Sequence, residues 1–557
     1  MEIIYFFVIC LAIFAAKIIY NESGNKNKLR VKLMSQFGKV PTTEYTSERF
    51  ESIQKYYQHI KDEKMDVDDI TWNDVDMDEI FMLANNTCTS IGEEYLYAML
   101  RKLQYDDKRL KKVDELADYF TTHAEERLQL QMKLSRIGRM KVISVYEYIN
   151  LFKGYKEESI AKHIFQAIGL LVTIALIPFN PSLGILLTVV MLATNTITYF
   201  KSKQEMEPYF NIVNYIAKLL KEVGKINRDS ANVIQDMMKE TMDAAKKLND
   251  FKKAAGIIGR GDGDLLDVLM DYIRMLFHID IIQFCRVSKI FRKYTKELNQ
   301  IYENIGFIDS CIAIASFRKL LPYYSKPELH SDKKPELNVD EIYHSLIENP
   351  VVNSIHEKKS ILLTGSNASG KSTFIKTLAI NAILSQTIYT SLSKKYEASY
   401  FNVATSMALR DNIFSQESYY IVEIKSLKRI LDRVNPEVPI LCFVDEILRG
   451  TNTLERIAAS SEILVSLARK NVLCFAATHD IELTHILEDD YSNYHFQEQI
   501  VDNNILFDYK LYEGRAVSKN AIKLLSIMGY SNEIIERATD AANHFQETGK
   551  WKNIVRK

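Results

Sequence analysis

The chain reads as an α/β domain in its C-terminal part, preceded by an all-α region that carries membrane-crossing helices. Three observations predict this. Residues 361–377 (ILLTGSNASGKSTFIKT) pass from apolar strand residues through a glycine-bounded loop into a helical pattern. Two further apolar runs, 440–444 and 472–477, end in polar residues, as buried parallel strands do. The rest is helical in period and interrupted by long apolar stretches at 3–20, 164–179 and 183–200.

The segment Gly365-Ser366-Asn367-Ala368-Ser369-Gly370-Lys371-Ser372, continuing to Thr373, is G-x-x-x-x-G-K-[ST] between a strand and a helix. Its glycines let successive backbone N–H groups turn toward a phosphate chain, and the helix adds the positive end of its dipole. Lys371 can reach the β- and γ-phosphates, and the Ser372 hydroxyl is placed to ligate Mg²⁺. The expected ligands are therefore ATP and Mg²⁺.

Ligands of α/β sheets sit at the carboxyl ends of the strands. The run 440–444 ends in Asp445-Glu446, so Asp445 falls where a carboxylate holds Mg²⁺ through water, and Glu446 where a base orients the attacking water. The run 472–477 ends in Thr478-His479-Asp480. A lone histidine is ordinarily a structural imidazole; after two nucleotide motifs, His479 reads as a γ-phosphate sensor. The order P-loop, strand-DE, strand-TH is that of ATP-binding-cassette-type ATPases. Lys371, Glu446 and His479 are the expected catalytic residues.

DEILRGTNTLE (445–455), followed by ATH (477–479), resembles the MutS family of DNA mismatch-repair ATPases, whose hallmark is DE-x-x-RGT-x-T and then ATH. SYYIVEI (418–424) is similar to the family's STFMVEM. The resemblance implies a homodimer through the ATPase domain, closing on two ATP molecules. In it Ser418 contacts the γ-phosphate bound by the partner, and Arg449, Gly450 and Thr451 form a loop crossing the interface. It also implies DNA as the ligand of helical arms moved by ATP. Gln416-Glu417 stand where the family has Gly-Arg, and Ser-Asn-Ala-Ser stands where it has Pro-Asn-Met-Gly, so the likeness is to a divergent subfamily.

In chain order, residues 1–21 read as an uncleaved N-terminal anchor and 22–45 as a basic juxtamembrane segment. Lys26, Lys28, Arg30 and Lys32 put the following chain, and so the ATPase domain, on the cytoplasmic side of a bacterial plasma membrane. Residues 46–162 form the first part of a helical core. Within it, 85–103 resembles the T-x-x-G-x-x-L-L segment opening the MutS core; on residues alone, Gly92 is ordinary packing. Residues 163–201 read as a transmembrane helical hairpin turning at Asn180-Pro181-Ser182, with Lys153, Lys156, Lys162, Lys201 and Lys203 outside it. The alternative is a hairpin buried in a soluble core.

Residues 202–324 continue the core in long helices broken at the glycine-rich 256–263, and 294–319 resembles the last MutS core helix. The polar, proline-containing 325–338 reads as a linker, 339–515 as the ATPase domain, and 516–557 as a helix–turn–helix dimerisation segment. There Gly529 is expected to end one helix and Ser531 to cap the next. The family's mismatch reader, with its Phe-x-Glu element, has no counterpart in residues 1–45, and the membrane hairpin stands about where the DNA-gripping clamp would be inserted.

A net charge of −1 with 26 % charged residues gives no global basic signal for nucleic acid. The six cysteines are scattered without a C-x-x-C pair, so neither disulfides nor zinc is expected. The expectation is a membrane-anchored, MutS-like ATPase with DNA binding inherited by resemblance. The alternative is a membrane-associated ATPase acting on a protein or membrane partner.

Overall fold

A computed structural model describes residues 24–551 except 141, 153–158, 229–230, 259–264, 332–333, 367–368, 408–418, 450, 502–503 and 517–520. The expected anchor over 1–21 therefore lies outside the described residues, as do Asn367, Ala368, Ser418 and Gly450. The chain divides into two units. The first comprises Met1–Asp62, Phe81–Lys102 and Lys108–Pro322; the second comprises Glu63–Ile80, Leu103–Asp107 and Tyr323–Lys557.

The N-terminal elements are helices α1 (24–36), α2 (Ser47–Ile60), α3 (Asp69–Asp74), α4 (Met77–Ala84), α5 (Ser90–Arg101), α6 (Asp107–Thr122) and α7 (Ala124–Ile137). After α8 (Val145–Leu151) come the long α9 (Ile160–Leu176) and α10 (Pro181–Arg228), a 3₁₀ turn, α11 (Gln235–Lys247), α12 (Asn249–Ile258), α13 (Leu265–Leu276), α14 (Ile279–Lys293) and α15 (Thr295–Leu320).

The first unit is built on the pairing of α5 with α15. Thr89 caps α5, its hydroxyl accepting from Gly92 N at 2.9 Å. The buried Asp309 of α15 accepts from Cys88 N, Thr89 N and the Thr89 hydroxyl, the last at 2.6 Å. A Cβ on Gly92 would stand 2.2 Å from an Asp309 oxygen. Gly92 is thus more than ordinary packing; only a glycine admits the carboxylate that ties the two helices. Beside it the buried Glu94 accepts from the Ser144 hydroxyl, Val145 N, Tyr146 N and the Tyr302 hydroxyl. Burial pushes its pKa up to about 8.

The apolar hairpin forms, with two departures from expectation. Asn180 accepts from Leu183 N at 3.3 Å and Pro181 is the first residue of α10, where its missing N–H costs nothing, so the helix restarts at Pro181 itself. Nor is there a boundary near 201: α10 runs unbroken for 48 residues, about 70 Å at 1.5 Å per residue. Among the described residues, Pro181–Glu207 is long and apolar enough to cross a membrane, by length and composition, while α9 is a shorter apolar helix.

The second unit holds two sheets. Strands β1 (Glu328–His330), β2 (Leu337–Ile342), β3 (Asn353–Glu357), β4 (Ser360–Thr364), β5 (Lys395–Ser399), β6 (Asn402–Ser406), β7 (Ile440–Asp445), β8 (Val472–Ala477), β9 (Tyr491–Val501) and β10 (Asn504–Glu513) arrange as β1-β5-β2-β3 and β10-β9-β4-β8-β7-β6. The six-stranded sheet is parallel except for the β9–β10 hairpin. Helices α16 (Lys371–Thr387), α17 (Tyr419–Asp432), α18 (Thr453–Ala468) and α19 (Ile481–Ile486) alternate with its strands. β4, β7 and β8 are buried along their whole length, which is why they read as unbroken apolar runs.

The stretch 325–338 is not a linker. It carries β1 and begins β2, and both pair with β5, a strand some sixty residues on that a local reading of polar residues and proline does not see. At the C-terminus α20 (Ala521–Ile527) and α21 (Asn532–Thr548) form the expected helix pair. Gly529 between them has φ +80, but Ser531, although it occupies the N-cap of α21, makes no side-chain cap hydrogen bond.

One part of this unit comes from far upstream. Residues 63–80 dock on the edge strand β6 and on α17: Asn402 donates to Lys64 O at 2.7 Å, and Asp74 accepts from the Thr405 hydroxyl at 2.6 Å and from Met407 N at 3.0 Å. Trp72 is buried beneath them. The segment covers an edge that would otherwise expose unpaired backbone groups.

Candidate active site

β4 delivers the chain to Gly365, whose φ of +141 suits only glycine; a Cβ there would lie 2.6 Å from Phe496 O. Gly370, at φ +106, starts α16. Lys371, the first helical residue, is 5 % exposed, and its ammonium donates to Gly365 O at 2.8 Å and Ser366 O at 2.9 Å. Burial lowers its pKa, and the charges of Asp445, Glu446 and Glu498 work the other way. Both predicted carboxylates are thus within electrostatic reach of the P-loop lysine. Ser372 and Thr373 are exposed on the first turn of α16.

β7 carries Asp445 to its carboxyl end, in register with Ala477 of β8, where Asp445 is largely buried. The chain then turns sharply. Glu446 N donates to Ala477 O at 3.0 Å, and Glu446 and Leu448 adopt φ of +54 and +57. Such left-handed conformations cost non-glycine residues on the order of 1–3 kcal/mol each and persist where surrounding contacts over-determine them. Those contacts are visible. Glu446 faces His479 Nε2 at 3.1 Å and Arg449 Nε at 2.5 Å. Glu423 of α17 accepts from Leu448 N, and burial raises its pKa.

His479 is placed from both sides. Thr478 N donates to Leu363 O at 2.9 Å, joining β8 to β4. Asp480 takes Arg456 of α18 through two hydrogen bonds, at 2.9 and 2.6 Å. This fork-to-carboxylate contact raises the arginine pKa and ties the loop after β8 to the helix after β7.

Lys371, Asp445, Glu446, Arg449 and His479 thus meet at one sheet edge. Arg449, expected at a dimer interface, reaches Glu446 of its own chain. Sequence reasoning missed Glu423, Arg456, Asp480 and Glu498, although the first three lie within or beside the motifs it used. Glu498 of β9 accepts from the Ser366 hydroxyl at 2.6 Å. It also missed a 410 Å³ cavity beside Gly370 and Thr373, walled by Tyr343, Pro350, Val351, Phe374, Phe496 and Tyr509. Its size and apolar, aromatic walls suit a flat heterocycle such as a nucleobase. No local signal marks it, because its walls come from 342–353 and 496–509, on either side of the P-loop.

The residues present fit a nucleoside triphosphate with Mg²⁺. The Ser369 hydroxyl is buried in the loop without a hydrogen-bond partner among the described residues, a donor left for a ligand oxygen. The Gly365 cradle would be filled by any side chain. Ser372 and Asp445 offer the hard oxygen donors that Mg²⁺ prefers.

Known proteins share this region. Residues 361–546 match the family described as MutS domain V. "DNA mismatch repair protein MutS" of Fervidobacterium nodosum is 29 % identical over 284 residues, covering 49 % of this chain and 34 % of that protein. "MutS protein homolog 4" of Homo sapiens is 28 % identical over 268 residues, covering 44 % of this chain and 28 % of its own length. "DNA mismatch repair protein MutS" of Thermotoga maritima is 27 % identical, covering 48 % of this chain and 35 % of its own. The matched part therefore spans about a third of the length of these relatives. With the P-loop, the strand-end carboxylates and His479 gathered as described, residues 361–546 match MutS domain V, and the chain is similar to MutS proteins over about half its length.

Proposed function

We propose that this chain is an ATP hydrolase of the MutS type, working as a homodimer through its ATPase domain and attached to a membrane with that domain in the cytoplasm. The observation that carries the reading is the placement of Glu446 against His479, beside the buried Lys371 of the P-loop. The P-loop backbone and Lys371 hold the β- and γ-phosphates, and the cavity beside Gly370 holds the base. Ser372 and Asp445 would hold Mg²⁺, which when bound supplies positive charge to the phosphate oxygens. Glu446 keeps free lone pairs besides those facing His479 and Arg449, and accepts a proton from the water whose oxygen attacks the γ-phosphorus. The bond to the ADP oxygen breaks as the new one forms. His479, fixed by its neighbours, donates to the γ-phosphate oxygen, and Ser418 of the partner completes the site by resemblance.

DNA is proposed as the ligand of the helical arms on the strength of the relatives' names and the motif resemblance. A second reading, a membrane or protein partner without mismatch recognition, is favoured by the apolar hairpin. Phe165, Phe179, Leu186 and Ile197 stand outward on α9, the hairpin turn and α10, with Phe179 86 % exposed. Steady-state ATP turnover of the detergent-purified protein separates the two when measured with and without duplex, mismatched and branched DNA at two salt concentrations. Stimulation by DNA that weakens with salt supports DNA. Turnover indifferent to every DNA supports the second reading, and absence of turnover overturns both.

A further inference from the structure

The left-handed loop that presents Glu446 has a backbone N–H, that of Leu448, turned away from strand pairing, and it is satisfied by the Glu423 carboxylate of α17. Leu448 is itself buried, so this donor has no water to fall back on. Six residues further along, about 9 Å on a helix, Arg429 joins Asp68 from the upstream docked segment and also donates to Thr405 O. Just beyond the helix, Arg433 lies 2.8 Å from the same Asp68 oxygen and donates to Glu63 O at 2.5 Å. Asp68 is anchored in turn as the N-cap of α3, accepting from Thr71 N at 2.7 Å. One rigid helix therefore holds the loop of the general base at one end, while the 63–80 segment holds it at the other.

We infer that Asp68, acting through α17 and Glu423, is a positioning residue for Glu446, so that the docked 63–80 segment determines where the general base stands. The inference rests on the hydrolase reading above. Neither Asp68 nor Glu423 touches nucleotide in it.

The test uses the full chain in detergent with four variants, Glu423→Ala, Glu423→Gln, Asp68→Ala and the Asp68→Ala/Glu423→Ala double. Turnover and the affinity for a fluorescent ATP analogue are measured on each. Glu423→Ala is expected to lower kcat about 10–100-fold, the effect of misplacing a catalytic group by about 1 Å, with KM and nucleotide affinity within about twofold. Glu423→Gln, whose amide oxygen still accepts from the loop, is expected to recover most of kcat. Asp68→Ala is expected to lower kcat alone, and the double variant to be no slower than Glu423→Ala, because the two act in series. Additive losses in the double variant overturn the relay, as do equal losses in kcat and affinity, or Glu423→Ala turning over like the parent. If Glu423→Ala does not fold, Glu423→Met, which keeps the length but loses the acceptor, Asp68→Asn and their double decide on the same additivity. A parent that binds nucleotide without turning it over defeats the hydrolase reading; a parent that turns over beside unaffected variants defeats only the relay.

Discussion

Glu446 and His479 face each other across the ends of two adjacent parallel strands, with Oε1 of one 3.1 Å from Nε2 of the other. Neither residue reaches this position by its own preference: Glu446 is in a left-handed conformation, and His479 sits between a backbone tie to β4 and the Arg456–Asp480 pair. The pair makes the first prediction. Glu446→Gln keeps the shape but removes the proton acceptor, so turnover is expected to fall about 10²–10⁴-fold while ATP still binds. Single-turnover hydrolysis beside an equilibrium binding titration checks this, and unchanged turnover removes Glu446 from the base role.

The base cavity makes a second. Val351→Trp fills part of the 410 Å³ space beside Gly370 without touching the carboxylates. ATP affinity should weaken by about 10-fold or more, the loss of about 1.4 kcal/mol of contact, with kcat at saturation kept. Nucleotide titration with kcat measured at saturating ATP decides it.

Asp68 gives a pH-dependent prediction. Burial opposes its charge, but Arg429 and Arg433 override burial and hold its carboxyl below the usual range. A depressed carboxylate contributes stability that is present above its unfolded pKa and is lost as pH falls through the lower folded value. Asp68→Asn should therefore destabilise the second unit at pH 7 by about 1–3 kcal/mol. The gap from the parent should close as pH falls below the ordinary aspartate range near 4. Urea unfolding at pH 7, 5 and 3 measures it; a gap that widens in acid would refute the assignment.

Gly92 tests the core of the helical unit. An alanine methyl would meet the Asp309 carboxylate at 2.2 Å, and this carboxylate is fixed by Cys88 and Thr89 and has little freedom to retreat. Gly92→Ala is expected to destabilise the unit by about 1–3 kcal/mol despite the better helix propensity of alanine. A melting temperature equal to or above the parent's would show that α5 and α15 can part without cost.

The hairpin makes the last prediction. Leu186→Asp together with Val190→Asp puts two charges on the outward face of α10, where both residues are exposed. Binding to phospholipid vesicles should fall sharply, since each charge costs about 2.5–3.5 kcal/mol at mid-bilayer, while ATP turnover in detergent is kept. Vesicle flotation reads the first and a coupled assay the second. Undiminished flotation would exclude these residues from the lipid contact.

Much of the candidate site was legible because its determinants are local. A P-loop is a contiguous run, and a buried parallel strand announces itself as an apolar segment whose carboxyl end carries the chemistry, so Lys371, Asp445, Glu446 and His479 could be named from spacing. The helical hairpin was legible for the same reason, but its limits were not. α10 starts at Pro181, two residues earlier than the expected run at 183, and polar residues after 200 do not stop a helix that packs along its length.

Sequence alone determined which residues gather at the candidate site, the strands that carry them and the apolar character of the hairpin, because each depends on residue type at short spacing. Tertiary structure decided what depends on partners distant in the chain. The pairing of 325–338 with β5, the base cavity walled from both sides of the P-loop, the ring of Glu423, Arg449 and His479 around the base, and the docking of Asp68 on α17 are all of this kind. For Glu423, His479 and Asp68, a polar residue unremarkable in its own segment is given its role by a charge or an orphaned N–H that only folding brings within hydrogen-bonding distance.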